Sequence, residues 1–456
     1  MKLEMVEKPV RQAINEIGRE NACRNPMMLA AAIMDCCRDQ SEVKILCNIL
    51  KAHYAKQLML GFMDESQKTM LWARQRELLI DETGMEGQKI EDILKVLWRS
   101  MDWLQPIHEP QDKLERYRWQ AEQGDSHVQN YLGYCYQHGL GVAKDYTAAV
   151  EWYRKSAMQG NDLGQNNLGY CHQYGLGVEK DYTAAVEWYR ESAAQGNASA
   201  KNNLGYCYQN GLGVAQVYSA AVEWYRESAA QGNASAQNNL GYCYHNGLGV
   251  AKDYTAAIEW YRKSAAQGNA DAQDNLGYCY RHGLSVAEDC TAAVECYRKS
   301  AAQGNASAQC NLGYCYQHGL GVAKDYTAAV EWYRKSAAQG NDFGQNSLGY
   351  CYRHGLGVVQ DYTAAVEWYR KSAAQGNAFA QNNLGNCYQD GLGVTPDYTA
   401  AVECYRKSAA QGNADAQSSL GYCYQNGLGV EQDFAMAFEL YRKSAEQRKG
   451  KNKWTV

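Results

Sequence analysis

The sequence predicts an all-α fold in which nine two-helix repeats stack into a solenoid. The first observation is a fixed period of 36 residues, marked by Leu-Gly-Tyr or, once, Leu-Gly-Asn. The second is a spacing of four between apolar residues, and the third is the glycine that follows each apolar segment. A period of this size is typical of solenoids, whose units bury their apolar faces against their neighbours. The tripeptides begin at Leu132, Leu168, Leu204, Leu240, Leu276, Leu312, Leu348, Leu384 and Leu420.

Residues 126–138 of the first unit predict its first helix. Val128, Leu132 and Tyr136 are spaced four apart, which places them on one helical face. Gly139 then begins the loop Gly-Leu-Gly-Val, and glycine is the residue that best accepts the left-handed conformation at a helix end. Gly133 lies inside this helix, where glycine costs about 1 kcal/mol relative to alanine. We therefore expect the second helix to approach closely at Gly133, and Gly133→Ala to be harmful.

Residues 146–159 predict the second helix of the same unit. Asp145 precedes it as an N-cap acceptor. Gly160 ends it, and Asn161 caps the first helix of the next unit. The residues expected to be buried are Ala149, Val150, Tyr153 and Ala157, with Trp152 at the flank.

The unit resembles the Sel1-like repeat, a 36-residue relative of the tetratricopeptide repeat. The resemblance lies in LGxxY, then GxGV, then Asp, then AVEWYRKSAxQGN, and it extends over all nine units. Departures include Val217 in place of the capping Asp and Ser285 in place of the second loop glycine. The resemblance implies a curved right-handed α/α superhelix and a role as an adaptor or scaffold that assembles protein complexes.

The chain divides at the ends of the periodic pattern. We predict an α-helical N-terminal domain at 1–103, where Asn25-Pro26 has the pattern of an N-cap followed by a first-turn proline. A linker with Pro106 and Pro110 spans 104–111, and a leading half-repeat helix spans 112–124. The nine repeats occupy 125–446, and a basic disordered tail occupies 447–456. The N-terminal domain is interpreted as a cap for the first repeat or as a separate recognition module.

Composition narrows the classes of partner and compartment. The net charge of -5 and the lack of an extended basic surface argue against nucleic-acid binding. The N-terminus has no apolar segment of a signal peptide, and no window is apolar enough to span a membrane. Nine of the 17 cysteines form one column at 36-residue spacing, too far apart along a stack for disulfides. We expect reduced thiols and a cytoplasmic location, and the sequence leaves open a secretion route that needs no N-terminal signal.

The candidate site is the concave face, which the first helices line in solenoids of this kind. Asparagine offers a donor and an acceptor that match a peptide backbone, and tyrosine a rigid apolar face with a polar tip. The sequence thus predicts a track for one extended peptide, or for several partners bound with avidity. The predicted partner-binding residues are Asn130, Tyr134, Asn166, Tyr170, Asn202, Tyr206, Asn238, Tyr242, Tyr278, Arg281, Tyr314, Asn346, Tyr350, Arg353, Asn382 and Tyr422.

Other interpretations of these residues stay open at the level of sequence. The asparagines and tyrosines could serve only solvation and packing between helices, or partners could bind the convex face. The same surface would suit an effector directed at a host cell. Four Cys-x-x-His pairs, such as Cys135 and His138, lack a second pair nearby, so we predict no metal and no cofactor. A cysteine-rich branch of the family is linked to β-lactam hydrolysis, but its repeats carry two covalently joined cysteines, so we expect no catalytic site.

Overall fold

The computed structural model describes residues 113–451, and their side chains from 114 to 448. Its helices fall into two compact units, Met1–Gly124 and Asp125–Val456. Within the described residues the first unit holds one helix, α1 at Lys113–Glu122, and the second holds eighteen. The predicted N-terminal domain at 1–103 and linker at 104–111 lie outside the described residues.

The second unit contains nine helix pairs, numbered here as repeats 1 to 9. Each repeat has an even-numbered first helix and an odd-numbered second helix, and no strand occurs between 113 and 451. The first helices are α2 Ser126–His138, α4 Asp162–Tyr174, α6 Ala198–Asn210, α8 Ala234–Asn246, α10 Ala270–Arg281, α12 Ala306–His318, α14 Asp342–His354, α16 Ala378–Asp390 and α18 Ala414–Asn426. The second helices are α3 Tyr146–Met158, α5 Tyr182–Ala194, α7 Tyr218–Ala230, α9 Tyr254–Ala266, α11 Cys290–Ala302, α13 Tyr326–Ala338, α15 Tyr362–Ala374, α17 Tyr398–Ala410 and α19 Phe434–Lys451. The all-α solenoid is confirmed.

The helix ends follow the capping residues in the sequence. The Asp145 carboxylate accepts from the backbone N–H groups of Thr147 and Ala148 at 2.9 and 3.0 Å. Asn161 caps α4 through the N–H of Gly164. Val217 has no side-chain acceptor, so α7 begins without a side-chain cap. The predicted first helix at 126–138 matches α2, and the second ends one residue earlier than predicted, at Met158.

The hydrophobic core is divided among the junctions between repeats. At each junction the second helix of one repeat contributes alanine, valine or isoleucine, and tyrosine, and the first helix of the next contributes leucine and cysteine. Between repeats 2 and 3, for example, Val186 and Tyr189 pack with Leu204 and Cys207, all at most 2% exposed. A single repeat therefore leaves half of such a cluster uncovered, which is why the repeats stabilise one another.

The glycine inside each first helix lies against the second helix of its own repeat. A Cβ atom at Gly133 would lie 2.7 Å from two ring carbons of Tyr153 and 3.1 Å from the carbonyl oxygen of Ala149. Such distances are shorter than the roughly 3.5–4.0 Å at which carbon atoms make favourable contact. The expected close approach at Gly133 is present, with the tyrosine ring as its main partner.

A loop glycine fits each repeat against its predecessor. Gly177 has a φ of 67°, and a Cβ there would collide with the backbone carbonyl of Tyr146. Ser285 occupies the same position in repeat 5 and keeps a left-handed φ of 52°, an uncommon conformation for a residue with a side chain. The first loop of repeat 5 is thus more strained than its equivalents.

The last helix differs from the others in length. It runs from Phe434 to Lys451, whereas the other second helices have 13 residues. Arg448 stands where the other repeats have the glycine that ends this helix, so the chain has no residue favouring a turn there. The predicted disordered tail from 447 is therefore helical as far as 451. Among the described residues no helix is long and apolar enough to cross a membrane.

Candidate functional site

A column of exposed tyrosines runs along the first helices. In eight repeats this tyrosine leaves 38–47% of its surface exposed, a large fraction for an aromatic side chain in a folded array. The members are Tyr134, Tyr170, Tyr206, Tyr242, Tyr278, Tyr314, Tyr350 and Tyr422. In repeat 8 the position is Asn386, whose oxygen accepts a hydrogen bond from the Tyr405 hydroxyl at 2.8 Å. The eight predicted tyrosines are thus accessible at one position of the repeat, and we call them the tyrosine column.

The asparagine column beside it is tied into the junctions between repeats. Its side-chain oxygen accepts from the side-chain amide of an asparagine 37 residues later, at 2.8–3.0 Å. The pairs, donor first, are Asn167–Asn130, Asn203–Asn166, Asn239–Asn202, Asn275–Asn238, Asn311–Asp274 and Asn383–Asn346. Asn238 and Asn382 are buried, and the others of the predicted site are half-buried. The expectation that these residues offer both a donor and an acceptor to a peptide stays a prediction. The oxygens are used between repeats or, at Asn382, buried, and the N–H group of Asn166 donates to Asn167 at 3.3 Å.

The two predicted arginines lie on the same helices, one turn after the tyrosine column. The guanidinium carbon of Arg281 lies 4.6 Å from the ring centroid of Tyr314 in the following repeat. Arg353 approaches Asp390 at 3.8 Å, a long ion pair. His282 and His354 follow the arginines and contact tyrosine rings at 4.2 and 4.3 Å. Positive charge and aromatic surface are thus combined in repeats 5 to 7.

The opposite side of the array uses its aromatic and cationic groups internally. On the second helices, Lys155 lies 4.1 Å above the ring of Trp152, and three other repeats have the same pair. Arg190 donates to the hydroxyl of Tyr208 in the next repeat at 3.0 Å. Because these groups already have partners inside the chain, the second-helix side offers fewer unsatisfied groups than the tyrosine column does.

Sequence reasoning missed a set of buried polar contacts. In every repeat a fully or nearly buried serine of the second helix donates to a carbonyl at the start of the first helix, as Ser228 does to Ala198 at 2.6 Å. In six repeats the equivalent tyrosine of the second helix, buried in all but repeat 9, donates to a glutamine, as Tyr189 does to Gln173 at 2.8 Å. The 16-residue and 30-residue separations recur in the sequence, but only the packing of the two helices identifies them as contacts.

The cysteine column is buried, so its thiols are not exposed to solvent. All cysteines within 113–448 are free thiols, and burial raises the pKa of Cys207 and Cys243 to about 11. A thiol becomes a nucleophile or metal ligand by losing its proton, which this environment disfavours. No cluster of three or more histidine, cysteine, aspartate or glutamate side chains suited to a metal ion occurs among the described residues.

Comparisons with known proteins agree with this architecture. The family model described as Sel1 repeat matches nine segments: 126–161, 163–197, 198–233, 234–269, 270–305, 306–341, 343–377, 378–413 and 414–448. The chain is similar to a protective antigen of uropathogenic Escherichia coli strains that displays an SLR fold, at 32% identity and a TM-score of 0.60, covering 100% of this chain and 91% of that chain. It is also similar to a Sel1 repeat protein from Oxalobacter formigenes at 34% identity, with a TM-score of 0.49, covering 54% of this chain and 96% of that chain. No curated protein matches.

Proposed function

The chain belongs to the Sel1 repeat family, and on that premise we propose that it is a protein-interaction scaffold. In this proposal an extended peptide, or short segments of several partners, binds along the tyrosine column. The role is binding rather than catalysis, because the chemistry of the described residues is that of a repeated contact surface. Aromatic side chains supply large contact areas at a low entropic cost, which suits them to this task.

The observation that carries the proposal is the exposure of the tyrosine column. Eight tyrosines at one position of a repeat remain about two-fifths exposed, while the tyrosines of the second helices are almost fully buried. An aromatic surface of this length is unusual for a protein that has no partner. Since the asparagine oxygens are used between repeats, the tyrosines are the main contact groups and the asparagine N–H groups are secondary ones.

Contacts between like helices support the first-helix side as the concave one. First helices of neighbouring repeats approach each other directly, as α2 does with α4 and α12 with α14. The hydrogen bonds of the asparagine column also join first helices only. In a curved stack the closely spaced layer lies on the inside, which supports the proposal that the tyrosine column faces a groove for an extended chain.

Site-specific photo-cross-linking tests this proposal. A photoreactive phenylalanine analogue placed at Tyr206 should cross-link a partner, whereas the same analogue at the exposed Glu223 of a second helix should not. The double variant Tyr206→Ala/Tyr242→Ala should lose that partner in a binding assay with both purified proteins. Its melting temperature should stay within a few degrees of the wild type, because about two-fifths of each ring is already exposed.

The matched control addresses the asparagine column. Asn202→Ala/Asn238→Ala removes the acceptors for Asn239 and Asn275, so it should lower the melting temperature. Retention of the cross-linked partner by the tyrosine variant, or cross-linking from Glu223 alone, would contradict the groove on the first-helix side.

A further inference from the structure

Three repeats depart from the others at one position of the first helix. Six repeats have glutamine there, and its side-chain oxygen accepts a hydrogen bond from the equivalent tyrosine of the second helix at 2.7–3.2 Å. Repeat 4 has His245, and repeats 5 and 7 have Arg281 and Arg353. Arginine has only donor groups, so it cannot take over the acceptor role of glutamine.

The arginines leave two buried hydroxyl groups without partners. Tyr297 and Tyr369 are 0% exposed, and neither hydroxyl has a hydrogen-bond partner. A buried donor without an acceptor is unfavourable, and native proteins rarely keep one without a reason. In the six glutamine repeats the equivalent hydroxyl donates to the glutamine oxygen of this position. An oxygen-bearing ligand beside each arginine would supply what the protein itself lacks.

Neither arginine has a carboxylate at hydrogen-bond distance within the part of the chain that the structure describes. For Arg281, no carboxylate of the described part of the chain lies within 4.0 Å, and the nearby Asp274 is engaged with Asn311 at 2.9 Å. Arg353 has only the 3.8 Å contact with Asp390, whose side chain is 45% exposed. Burial lowers the pKa of His282 and His354, and the adjacent arginine lowers each further. Among the described residues Asp274 and Asp390 lie near the arginines, but neither carboxylate takes up a guanidinium N–H at hydrogen-bond distance, so those donor groups stay available to a ligand.

Spacing limits the shape of a ligand that reaches both arginines. Arg281 and Arg353 occupy the same position two repeats apart. Neighbouring packed helices are separated by about 8–10 Å, so the two guanidinium groups are roughly 20 Å apart along the array. An extended chain rises about 3.3 Å per residue and returns to the same face every second residue. Side chains about six residues apart therefore match both the distance and the face.

We propose that Arg281 and Arg353, with the intervening Tyr314, bind an extended acidic peptide that carries two carboxylate side chains about six residues apart. Each carboxylate pairs with one guanidinium group in the two-point geometry that arginine and carboxylate share, and one oxygen comes within reach of the tyrosine hydroxyl beneath. The peptide backbone between them lies on the Tyr314 ring. This inference rests on the proposed function, because it names the partner chemistry of the same face.

Fluorescence anisotropy with defined peptides tests the proposal. The probe is a labelled 12-residue peptide of glycine and serine with two glutamates six positions apart, used at low salt with the full chain. Binding should weaken about tenfold when glutamine replaces either glutamate, which corresponds to the loss of one charge-assisted contact. A peptide with its glutamates three positions apart should also bind more weakly, because its carboxylates lie on opposite faces. Equal binding of all these peptides would overturn the proposal.

Substitution by glutamine separates binding from folding. Arg281→Gln and Arg353→Gln should each weaken binding about tenfold, yet each should raise the melting temperature, because glutamine restores the acceptor for Tyr297 or Tyr369. The matched controls Lys299→Gln and Lys407→Gln remove one charge each from exposed second-helix positions of repeats 5 and 8 and should leave binding unchanged. A similar loss in the lysine variants would mean nonspecific attraction and would refute the site.

Two further outcomes would overturn the inference, and the proposed function is judged separately. Preference for a peptide with phosphoserine at one position, with no binding of the glutamate peptide, would exclude carboxylates as the ligand. Self-association of the wild type that Arg281→Gln abolishes would assign the surface to a second copy of the chain.

The results for the two proposals can be told apart. If the glutamate peptide does not bind while binding of the partner cross-linked at Tyr206 still depends on the tyrosine column, only the acidic-peptide inference is refuted. If the double tyrosine variant still binds that partner, the proposed function is refuted, regardless of the peptide-binding results.

Discussion

The glycine of the Leu-Gly-Tyr tripeptide allows a test in which helix propensity and close packing have opposite effects on stability. In repeat 2, a Cβ at Gly169 would lie 2.8 and 2.9 Å from ring carbons of Tyr189 and 3.1 Å from the carbonyl oxygen of Ala185. The ring cannot easily move, because Tyr189 is 0% exposed and its hydroxyl donates to the buried Gln173 at 2.8 Å. Gly169→Ala therefore forces two packed helices apart or displaces a fixed ring.

The magnitude follows from the difference between these effects. Alanine gains about 1 kcal/mol over glycine in helix propensity. Relieving the contact needs a movement of about 0.7 Å to reach normal van der Waals separation, and overpacking of this kind costs about 1–3 kcal/mol. Loss of geometry in the Tyr189–Gln173 hydrogen bond adds about 0.5–1.5 kcal/mol. The expected net result is a destabilisation of about 0.5–3.5 kcal/mol.

The last repeat provides the matched control. There a Cβ at Gly421 would lie 3.1 and 3.2 Å from the ring of Tyr441, which is partly exposed and can move aside. Gly421→Ala should therefore be neutral or slightly stabilising. Hydrogen exchange of the segments in repeats 2 and 9, read by mass spectrometry, reports the local free energy of opening in each variant. Slower exchange in repeat 2 of Gly169→Ala, or equal destabilisation by both substitutions, would refute the role assigned to the close contact.

Two further predictions follow from helix capping and from the buried thiols. Val217→Asp should supply the missing N-cap of α7 and raise the free energy of unfolding, measured by urea denaturation, by about 1 kcal/mol. Asp253→Val should lower the free energy of unfolding by a similar amount, because it removes the N-cap of α9. An unchanged urea midpoint in both variants would contradict the capping argument. Burial raises the pKa of Cys207 from an ordinary value of 9.0 to about 11. Between these pH values the folded state binds more protons than the unfolded state. The free energy of unfolding should therefore fall as the pH rises from about 9 to about 11. Urea midpoints measured across this range should fall less in Cys207→Ala than in the wild type, and equal falls would exclude the thiol as a cause.

The local architecture could be predicted from the sequence because its signals repeat and are short in range. The bounds of α2 and the N-cap at Asp145 depend on residues within a few positions of one another. The close contact at Gly133 was also predictable, since glycine in mid-helix requires a compensating feature elsewhere. The tyrosine that makes the contact was identifiable only as a buried residue of the second helix.

The surface chemistry was harder to predict because it depends on packing between repeats. Helical geometry placed Asn130 and Tyr134 on one side of the first helix, but it could not show that Asn167 donates to Asn130. That contact joins residues 37 positions apart and depends on how closely two first helices approach. The unpaired hydroxyl of Tyr297 was hidden for a related reason, because its missing acceptor is defined only by comparison with the hydrogen bonds of other repeats.

The equivalence of the junctions has a consequence for how such a chain changes over time. Nearly the same core residues meet at each junction, as Tyr189 with Leu204 and Tyr225 with Leu240 do. Removing or adding 36 residues in frame within the array would therefore join surfaces that already fit, whatever the point of exchange. Unequal recombination between copies can shorten or lengthen this molecule in whole repeats. The length of the array can therefore vary while the packing at every remaining junction is preserved.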